Sequence, residues 1–273
     1  LWESHMKIAK RLLLILMSAV MMIGGGGCSM LVSESQLKKT LENSLKEKYG
    51  EEFVCVDVWA GGGESYKGVC YPENNNKLMF ESTFYSNGNL SYDYYPTSIV
   101  SNELSKEFDN VLQDSFGNHY TYCYDNGGID DEDTAQKIKN NEFSLSYYFD
   151  KYSDAYSNKM ELNYTICVDT SDIRIAYDEE WDILLKAINS IKEIGKANKM
   201  DTTFRMNMYF VPNGIFDKCM EYFKEHAEIR SDFREMIEGY PKQKYNRLIK
   251  FDIGLDIFPM SKEEYINQRK EIN

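Results

Sequence analysis

The sequence predicts an α+β protein with two domains, each with helices packed on one face of an antiparallel sheet. In some segments apolar residues recur every third or fourth position, as at Leu37, Leu41 and Leu45, which is typical of amphipathic helices. In others they alternate with polar residues, as at Tyr164 and Ile166, which is typical of strands with one buried and one solvated face. Because the two kinds of segment follow one another, helices on antiparallel sheets are the expected arrangement.

The first predicted domain spans residues 36–126 and opens with a helix over residues 36–49. Ser33 and Gln36 have the spacing of a capping box, and Gly50 is a suitable C-terminal stop. Two hairpins, a second helix and a further strand are predicted to follow. The predicted strands cover residues 53–59, 66–71, 78–85 and 90–94, the helix covers residues 98–116, and the last strand leads off from Tyr120.

The two hairpins carry more specific expectations. Val54, Val56 and Val58 are expected to share one face of the first strand, since side chains alternate along a strand. In the second hairpin, Asn87-Gly88 predicts a two-residue type I′ turn. Pro96 is expected to end that hairpin.

Cys55 and Cys70 are candidates for a disulfide across the first hairpin. If Trp59 pairs with Tyr66, Cys55 lies directly opposite Cys70, with Cβ atoms about 4.5–5.5 Å apart, close to the separation that a disulfide needs. A one-residue slip or a bulge would separate the pair and leave two free thiols on one sheet face. The chain has six cysteines, and none stands in a CxxC spacing that would indicate a metal site.

Residues 127–141 are predicted to form an acidic linker. The run Asp130–Asp133 has two interpretations, a calcium loop or a solvated turn that caps a short helix at residues 134–139. The spacing of an EF-hand is absent, which favours the turn.

The second predicted domain spans residues 142–273. Its helices are expected at a stripe from Trp181 to Ile191 behind Asp178 as N-cap, at residues 215–223 and near residues 262–270. Its predicted strands cover residues 143–149, 162–168, 204–210 and 249–253.

The N-terminal region carries the pattern of a secretion signal. Lys7, Lys10 and Arg11 form a basic head, the uncharged apolar run Leu12–Ile23 follows, and glycines then lead into Cys28. The apolar run is shorter than the roughly 20 residues of a membrane-spanning helix.

This order of residues resembles bacterial lipoprotein precursors. The resemblance implies cleavage between Gly27 and Cys28 and a lipid on Cys28, although Gly25 stands where that family usually has a larger aliphatic residue. We interpret residues 1–27 as a tag remnant and a cleaved signal peptide, and residues 28–35 as a lipid-anchored tether. The alternative is a short buried helix that ends at the glycines. The resemblance places the mature protein outside the cytoplasm, on the outer face of the cytoplasmic membrane.

Charge limits the classes of partner. Residues 1–27 carry three basic side chains and one acidic one, so their removal changes the net charge from −13 to −15. Phosphate backbones and anionic lipid headgroups repel a chain this acidic, so no nucleic-acid partner is expected. Membrane contact is expected only through the lipid on Cys28, which anchors stably when it carries two chains.

No catalytic motif is recognisable, and neither a cofactor nor a metal is expected. The sequence has no GxSxG, HExxH, Walker or GxGxxG motif, and His119 and His226 are expected to be structural or solvated. Tyrosines crowd the predicted strands and their ends, either as an exposed surface for a peptide or glycan or as ordinary strand filling. These tyrosines are Tyr92, Tyr94, Tyr95, Tyr120, Tyr122, Tyr124, Tyr147, Tyr148, Tyr152 and Tyr156.

Residues 36–125, with the segment KYGEEF between helix and strand, resemble cystatin-like and PepSY-like modules of Gram-positive lipoproteins. The leading hypothesis is a lipid-anchored, non-catalytic surface protein that binds an envelope protein, a peptide or a wall glycan. One alternative is an envelope hydrolase that cleaves wall glycans through a pair of carboxylates. Another is an inhibitor or immunity lipoprotein. The oligomeric state stays open.

Overall fold

The fold consists of two four-stranded sheets with helices packed against them, and the predicted α+β class is confirmed. The computed structural model describes residues 32–76, 78–125, 128–171, 173, 175–211, 216–217, 248–253 and 260–272. The first sheet has the strand order β1-β2-β3-β4 and the second β5-β6-β7-β8. In chain order the elements are α1 (Glu34–Tyr49), β1 (Phe53–Gly62), β2 (Ser65–Pro72), β3 (Phe80–Tyr85), β4 (Leu90–Asp93), α2 (Tyr95–Phe116), β5 (His119–Asp125), α3 (Glu132–Lys139), α4 (Leu145–Ala155), β6 (Lys159–Asp169), α5 (Tyr177–Ala197), β7 (Asp201–Val211), β8 (Leu248–Ile253) and α6 (Lys262–Ile272).

Helix α1 forms where the sequence predicts it. Ser33 and Gln36 form the expected capping box, and Gly50 ends the helix in the left-handed conformation at φ 79°. The buried stripe packs on the first sheet and comprises Leu37, Leu41, Leu45 and Tyr49.

A bulge in β1 changes which side chains face α1. Cys55 pairs with Cys70, but the next pair joins Asp57 to Val69, so Val56 is the extra residue. The expectation that Val54, Val56 and Val58 share a face is therefore wrong, because one extra residue reverses the alternation beyond it. Trp59 consequently pairs with Lys67 and not, as predicted, with Tyr66.

The β3–β4 connection is a three-residue loop and not the predicted two-residue type I′ turn. The N–H of Gly88 donates to the carbonyl of Tyr85, and the N–H of Tyr85 donates to the carbonyl of Asn89. Gly88 has φ 91°, whereas Asn87 does not have the positive φ that a type I′ turn requires of both central residues. The glycine therefore supplies the left-handed position that follows the turn.

Helix α2 begins earlier than predicted and contributes to both apolar cores. It starts at Tyr95, so Pro96 lies in its first turn, where a missing N–H costs no helical hydrogen bond. Tyr95 belongs to the core of the first sheet, whereas Leu104 and Phe108 belong to the core of the second.

Strand β5 belongs to the second sheet. The strand at Tyr120 is predicted to belong to residues 36–126, but β5 pairs with β6 along its whole length, with Tyr120 opposite Cys167. Local alternation predicts a strand but does not identify the partner with which the strand pairs.

The second sheet departs from an all-antiparallel arrangement at one pair. Strands β6 and β7 run parallel, with Leu162 opposite Phe204, and α5 provides the crossover that a parallel pair needs. Helix α2 packs on β5, α5 packs on β7, and the two helices contact each other. Alternation along β6 and β7 correctly indicated one face covered by helices. The opposite face is not solvated as predicted, since Asn163, Cys167 and Tyr209 are buried there. Alternation also carries no information on strand direction.

Two predicted details of the second sheet's helices are corrected. Residues 143–149, expected as a strand, lie largely in α4, which begins after the N-cap Ser144 and buries Tyr148, Phe149 and Tyr152. Tyr152 follows Tyr148 by four residues and Phe149 by three, which is helical spacing. This spacing describes the segment better than the alternation of residues 143–149 does. The N-cap of α5 is Ala176 and not Asp178, which lies in the first turn.

Several sequence expectations lie outside the described residues. They include the signal segment with Cys28, most of the helix predicted at residues 215–223, and His226. Within the described ranges, none of the helices has the length and apolar character needed to cross a bilayer.

Candidate functional site

The predicted linker is anchored to the first sheet at the end of β4. Asp130 accepts a hydrogen bond from the backbone N–H of Asp93 at 3.0 Å, and the neighbouring Ile129 is buried in the second core. A segment that the sequence predicts to be a solvated boundary therefore joins the two halves of the molecule.

Lys48 from α1 lies between two carboxylates, and we call Lys48, Asp93 and Asp130 the aspartate–lysine cluster. The Nζ of Lys48 is 2.7 Å from Oδ2 of Asp93 and also donates to Oδ1 of Asp130. The second oxygen of Asp93 accepts from the hydroxyl of Tyr49 at 2.7 Å and from the backbone N–H of Tyr95 at 3.1 Å. All four carboxylate oxygens are therefore engaged.

Because the aspartate–lysine cluster is largely buried, the charge of each group in it changes the pKa of its neighbours. Burial and the charge of Asp93 raise the pKa of Asp130, against the lowering effect of Lys48. Burial alone would lower the pKa of Lys48, but the charge of Asp93 and the hydrogen bonds to both carboxylates raise it above its ordinary value. Burial also raises the pKa of the Tyr49 hydroxyl, which stays protonated as a donor. The aspartate–lysine cluster thus joins α1, β4 and the linker, and we also call it the clamp.

A group of tyrosines lies beside this clamp, and we call Tyr92, Tyr94 and Tyr156 the tyrosine surface; Tyr92 is half-buried and the other two are exposed. The rings of Tyr92 and Tyr94 meet edge to face with centroids 4.6 Å apart. The Tyr156 hydroxyl donates to the carbonyl of Gly128 at 2.7 Å and accepts from its N–H at 3.3 Å. A Cβ at residue 128 would overlap the Tyr92 hydroxyl, so the glycine lets both aromatic groups approach the linker.

The outer rings of this surface reach solvent. Tyr94 is 40% exposed and Tyr156 is 55% exposed, and the buried Tyr152 supports the Tyr156 ring with centroids 4.9 Å apart. Such rings offer apolar faces and hydroxyl groups together and lose little conformational entropy when a ligand covers them. The arrangement is suited to binding.

The acidic residues of the run Asp130–Asp133 make separate contacts. Asp131 caps α3 by accepting from the N–H of Thr134 at 2.7 Å, as the turn interpretation predicts. Asp133 lies 3.0 Å from Lys151 and accepts from Tyr147. Among the residues with assigned positions, no group of three or more His, Cys, Asp or Glu is placed to hold a metal ion.

The cysteines predicted to oppose each other do so. Cys55 and Cys70 are partners in the β1–β2 register, and their Sγ atoms are 2.8 Å apart, longer than the roughly 2.05 Å of a disulfide bond. Cys123 and Cys167 are also buried, but in the β5–β6 register they oppose Tyr164 and Tyr120. Cys28, the predicted lipidation site, lies outside the described residues.

Both ring nitrogens of His119 contact other groups of the protein. Its Nε2 is 3.2 Å from Oδ1 of Asp109, and its Nδ1 is 2.8 Å from the carbonyl of Gly117. These contacts tie the start of β5 to α2 and to Gly117, which follows it.

Sequence reasoning missed the aspartate–lysine cluster. Lys48 and Asp93 are 45 positions apart, and Lys48 and Asp130 are 82 apart. The one usable signal was Asp93 at the end of a tyrosine-rich strand, where a buried carboxylate requires a cationic partner. The sequence shows that these segments are rich in tyrosine, whereas the meeting of Tyr92 and Tyr156 at Gly128 depends on the fold.

Comparison with known proteins gives a likeness of fold. No protein-family model matches the sequence, and no curated protein matches it. A crystal structure of a DUF5037 family protein from Ruminococcus gnavus ATCC 29149 is similar, with a TM-score of 0.59 and 18% sequence identity. The match covers 85% of this chain and 98% of that chain. At this identity the likeness concerns the fold alone.

Proposed function

We propose that this chain is a lipid-anchored, non-catalytic binding protein on the outer face of the cytoplasmic membrane. Its tyrosine surface takes a basic segment of an envelope protein or peptide. The observation that carries the proposal is the meeting of Tyr92 and Tyr156 at Gly128, with the exposed Tyr94 ring packed against Tyr92.

Tyrosine chemistry favours a protein ligand. Tyrosine is enriched at the centres of protein interfaces, because the ring gives a large contact area and the hydroxyl stays hydrogen-bonded. The clamp beneath holds the linker in place, so the rings of Tyr92 and Tyr156 are positioned before a ligand arrives. Preorganisation of this kind lowers the entropic cost of binding.

Charge favours a basic ligand. The chain has a net charge of −13, or −15 without residues 1–27, so a cationic segment is attracted over a long range and an anionic one is repelled. The electrostatic part of the attraction should weaken with salt, whereas contacts with the tyrosine rings should persist.

The lipid anchor rests on the N-terminal sequence. Basic head, apolar run and glycines precede Cys28, and the first described helix begins at Glu34. Incorporation of labelled palmitate into the wild-type protein and its loss in Cys28→Ala would support the anchor. Equal labelling of the two proteins would contradict it.

The binding test uses a matched pair of variants. Tyr94→Ala combined with Tyr156→Ala removes the exposed rings, and Tyr85→Ala removes a ring of similar exposure, 41%, at the opposite end of the β3–β4 hairpin. Photo-crosslinking to envelope fractions, followed by affinity measurement with the captured segment as a synthetic peptide, should show binding that the double variant loses and Tyr85→Ala keeps. Equal binding by all three proteins would overturn the proposal. If the double variant lost binding only to purified wall-glycan fragments, the ligand would be a wall glycan and not a peptide.

The hydrolase alternative has one observation in its favour, the pair Asp93 and Asp130. A glycosidase needs two carboxylates about 5 Å or more apart across a bond that reaches them. Here the space between them holds the ammonium group of Lys48. Release of soluble fragments from purified cell wall, abolished by Asp130→Asn, would favour hydrolysis over binding.

A further inference from the structure

We propose that Cys55 and Cys70 form a disulfide bond, which the β1–β2 hairpin acquires before α1 covers it. The proposal is independent of the binding function and rests on the geometry of the hairpin. Its failure would leave the tyrosine surface unaffected, because Cys55 and Cys70 lie in the core between α1 and the first sheet.

The register brings the two cysteines together. They are direct partners in the antiparallel pair, and the bulge begins only at the next residue of β1, Val56. Their Sγ atoms are 2.8 Å apart, within about 1 Å of bonding distance, so closure needs a small side-chain adjustment and no change of register. Cys123 and Cys167 provide an internal contrast, since each opposes a tyrosine.

Burial determines when the bond can form. Cys70 is 0% exposed, and burial raises the pKa of its thiol well above the usual range. The reactive species in disulfide exchange is the thiolate, which is therefore scarce and inaccessible in the folded protein. Exchange must occur while the hairpin is still open to solvent.

The chemistry requires an oxidant with a disulfide of its own, such as a thiol–disulfide oxidoreductase or oxidised glutathione. One cysteine thiolate attacks a sulfur of that disulfide, forms a mixed disulfide and releases one thiolate of the oxidant. The second cysteine thiolate then attacks the protein sulfur of the mixed disulfide and releases the other thiolate. In total two cysteine thiols lose two protons and two electrons, and the oxidant disulfide gains them as two thiols.

The test compares two orders of addition. The full chain is refolded from denaturant in a mixture of oxidised and reduced glutathione, or is first folded in reductant and then given the same mixture. Alkylation under denaturing, non-reducing conditions and peptide mapping then identify the linked cysteines. We expect a peptide joining Cys55 to Cys70 after oxidative refolding and little of it when oxidant meets the folded protein. Reduction should lower the folding equilibrium constant about a hundredfold.

Two controls make the result specific. Cys123→Ser should keep the linked peptide, and Cys55→Ser should lose it; if that variant does not fold, the peptide map of the wild type still decides. Full alkylation of Cys55 and Cys70 after oxidative refolding would overturn the proposal. Equally fast oxidation of the folded, reduced protein would overturn the order of events.

Discussion

The carboxylate of Glu180 accepts two hydrogen bonds from the guanidinium of Arg269, from Nε at 2.7 Å and from Nη2 at 2.9 Å. Tyr265 donates to the same carboxylate, and the guanidinium lies 3.8 Å from the centre of the Phe210 ring. Arg269 is 2% exposed, so the pair is shielded from water on every side. This ion pair attaches the C-terminal helix α6 to α5.

Replacing Arg269 should destabilise the fold strongly. Arg269→Met leaves the carboxylate of Glu180 buried without its charge partner, which costs about 3–5 kcal/mol. Urea denaturation followed by circular dichroism measures the loss. Lys262→Met is the matched control, because Lys262 in the same helix makes an exposed ion pair with Asp182 worth about 1 kcal/mol or less. Similar losses in the two variants would contradict the assignment.

Replacing Lys48 should loosen the linker. Lys48→Met leaves Asp93 and Asp130 facing each other without a cation, and we expect a loss of about 3 kcal/mol in the free energy of unfolding. Hydrogen exchange should accelerate at the N–H of Asp93, which donates to Asp130. Lys46→Met removes only an exposed pair with Glu52 and should change neither quantity measurably. Unchanged exchange in Lys48→Met would show that the linker is held by other contacts.

Gly68→Ala should overpack the interface between α1 and the first sheet. An added Cβ would lie 2.5 Å from Cδ2 of Leu41 and 3.1 Å from Cγ1 of Val58, so we expect a cost of about 1–3 kcal/mol, measured by denaturant titration. The cause is a steric clash, so Leu41→Val should cost less in the Gly68→Ala background than in the wild type. Additive losses would rule out the clash as the cause.

Stability should fall with rising pH through the titration of His119. Burial alone would lower the pKa of His119, but hydrogen bonds to Asp109 and to the carbonyl of Gly117 raise it above its ordinary value of 6.5. The folded state therefore binds the proton more tightly than the unfolded state does. The resulting stabilisation is complete below 6.5 and is lost as the pH rises through the folded pKa.

The check on this prediction is the pH dependence of the urea midpoint across that range. His119→Gln should flatten the decline that the wild type shows above pH 6.5, and Asp109→Asn should shift it toward 6.5. The same slope in wild type and His119→Gln would assign the decline to another group.

Sequence features predicted an element correctly where they act on the local backbone, as helix caps and helix stops do. The stripe from Leu37 to Tyr49, the cap at Ser33 and the stop at Gly50 together define α1, and all three are present. The pairing of Cys55 with Cys70 also held, because the bulge at Val56 offsets the one-residue difference between the observed Trp59–Lys67 pair and the predicted Trp59–Tyr66 pair. The reading of Pro96 as a strand end failed, because the first turn of a helix tolerates proline as well.

The sequence by itself determined the α+β class, the course of most helices and strands and the acidity of the chain, because periodicity, caps and charge are local properties. Only the tertiary structure decided that β5 joins the second sheet, that β6 and β7 run parallel, and that Lys48, Asp93 and Asp130 meet. The tyrosine surface likewise exists only where the linker crosses β4. These relationships join residues tens of positions apart, and their energy comes from burial and pairing that no single segment contains.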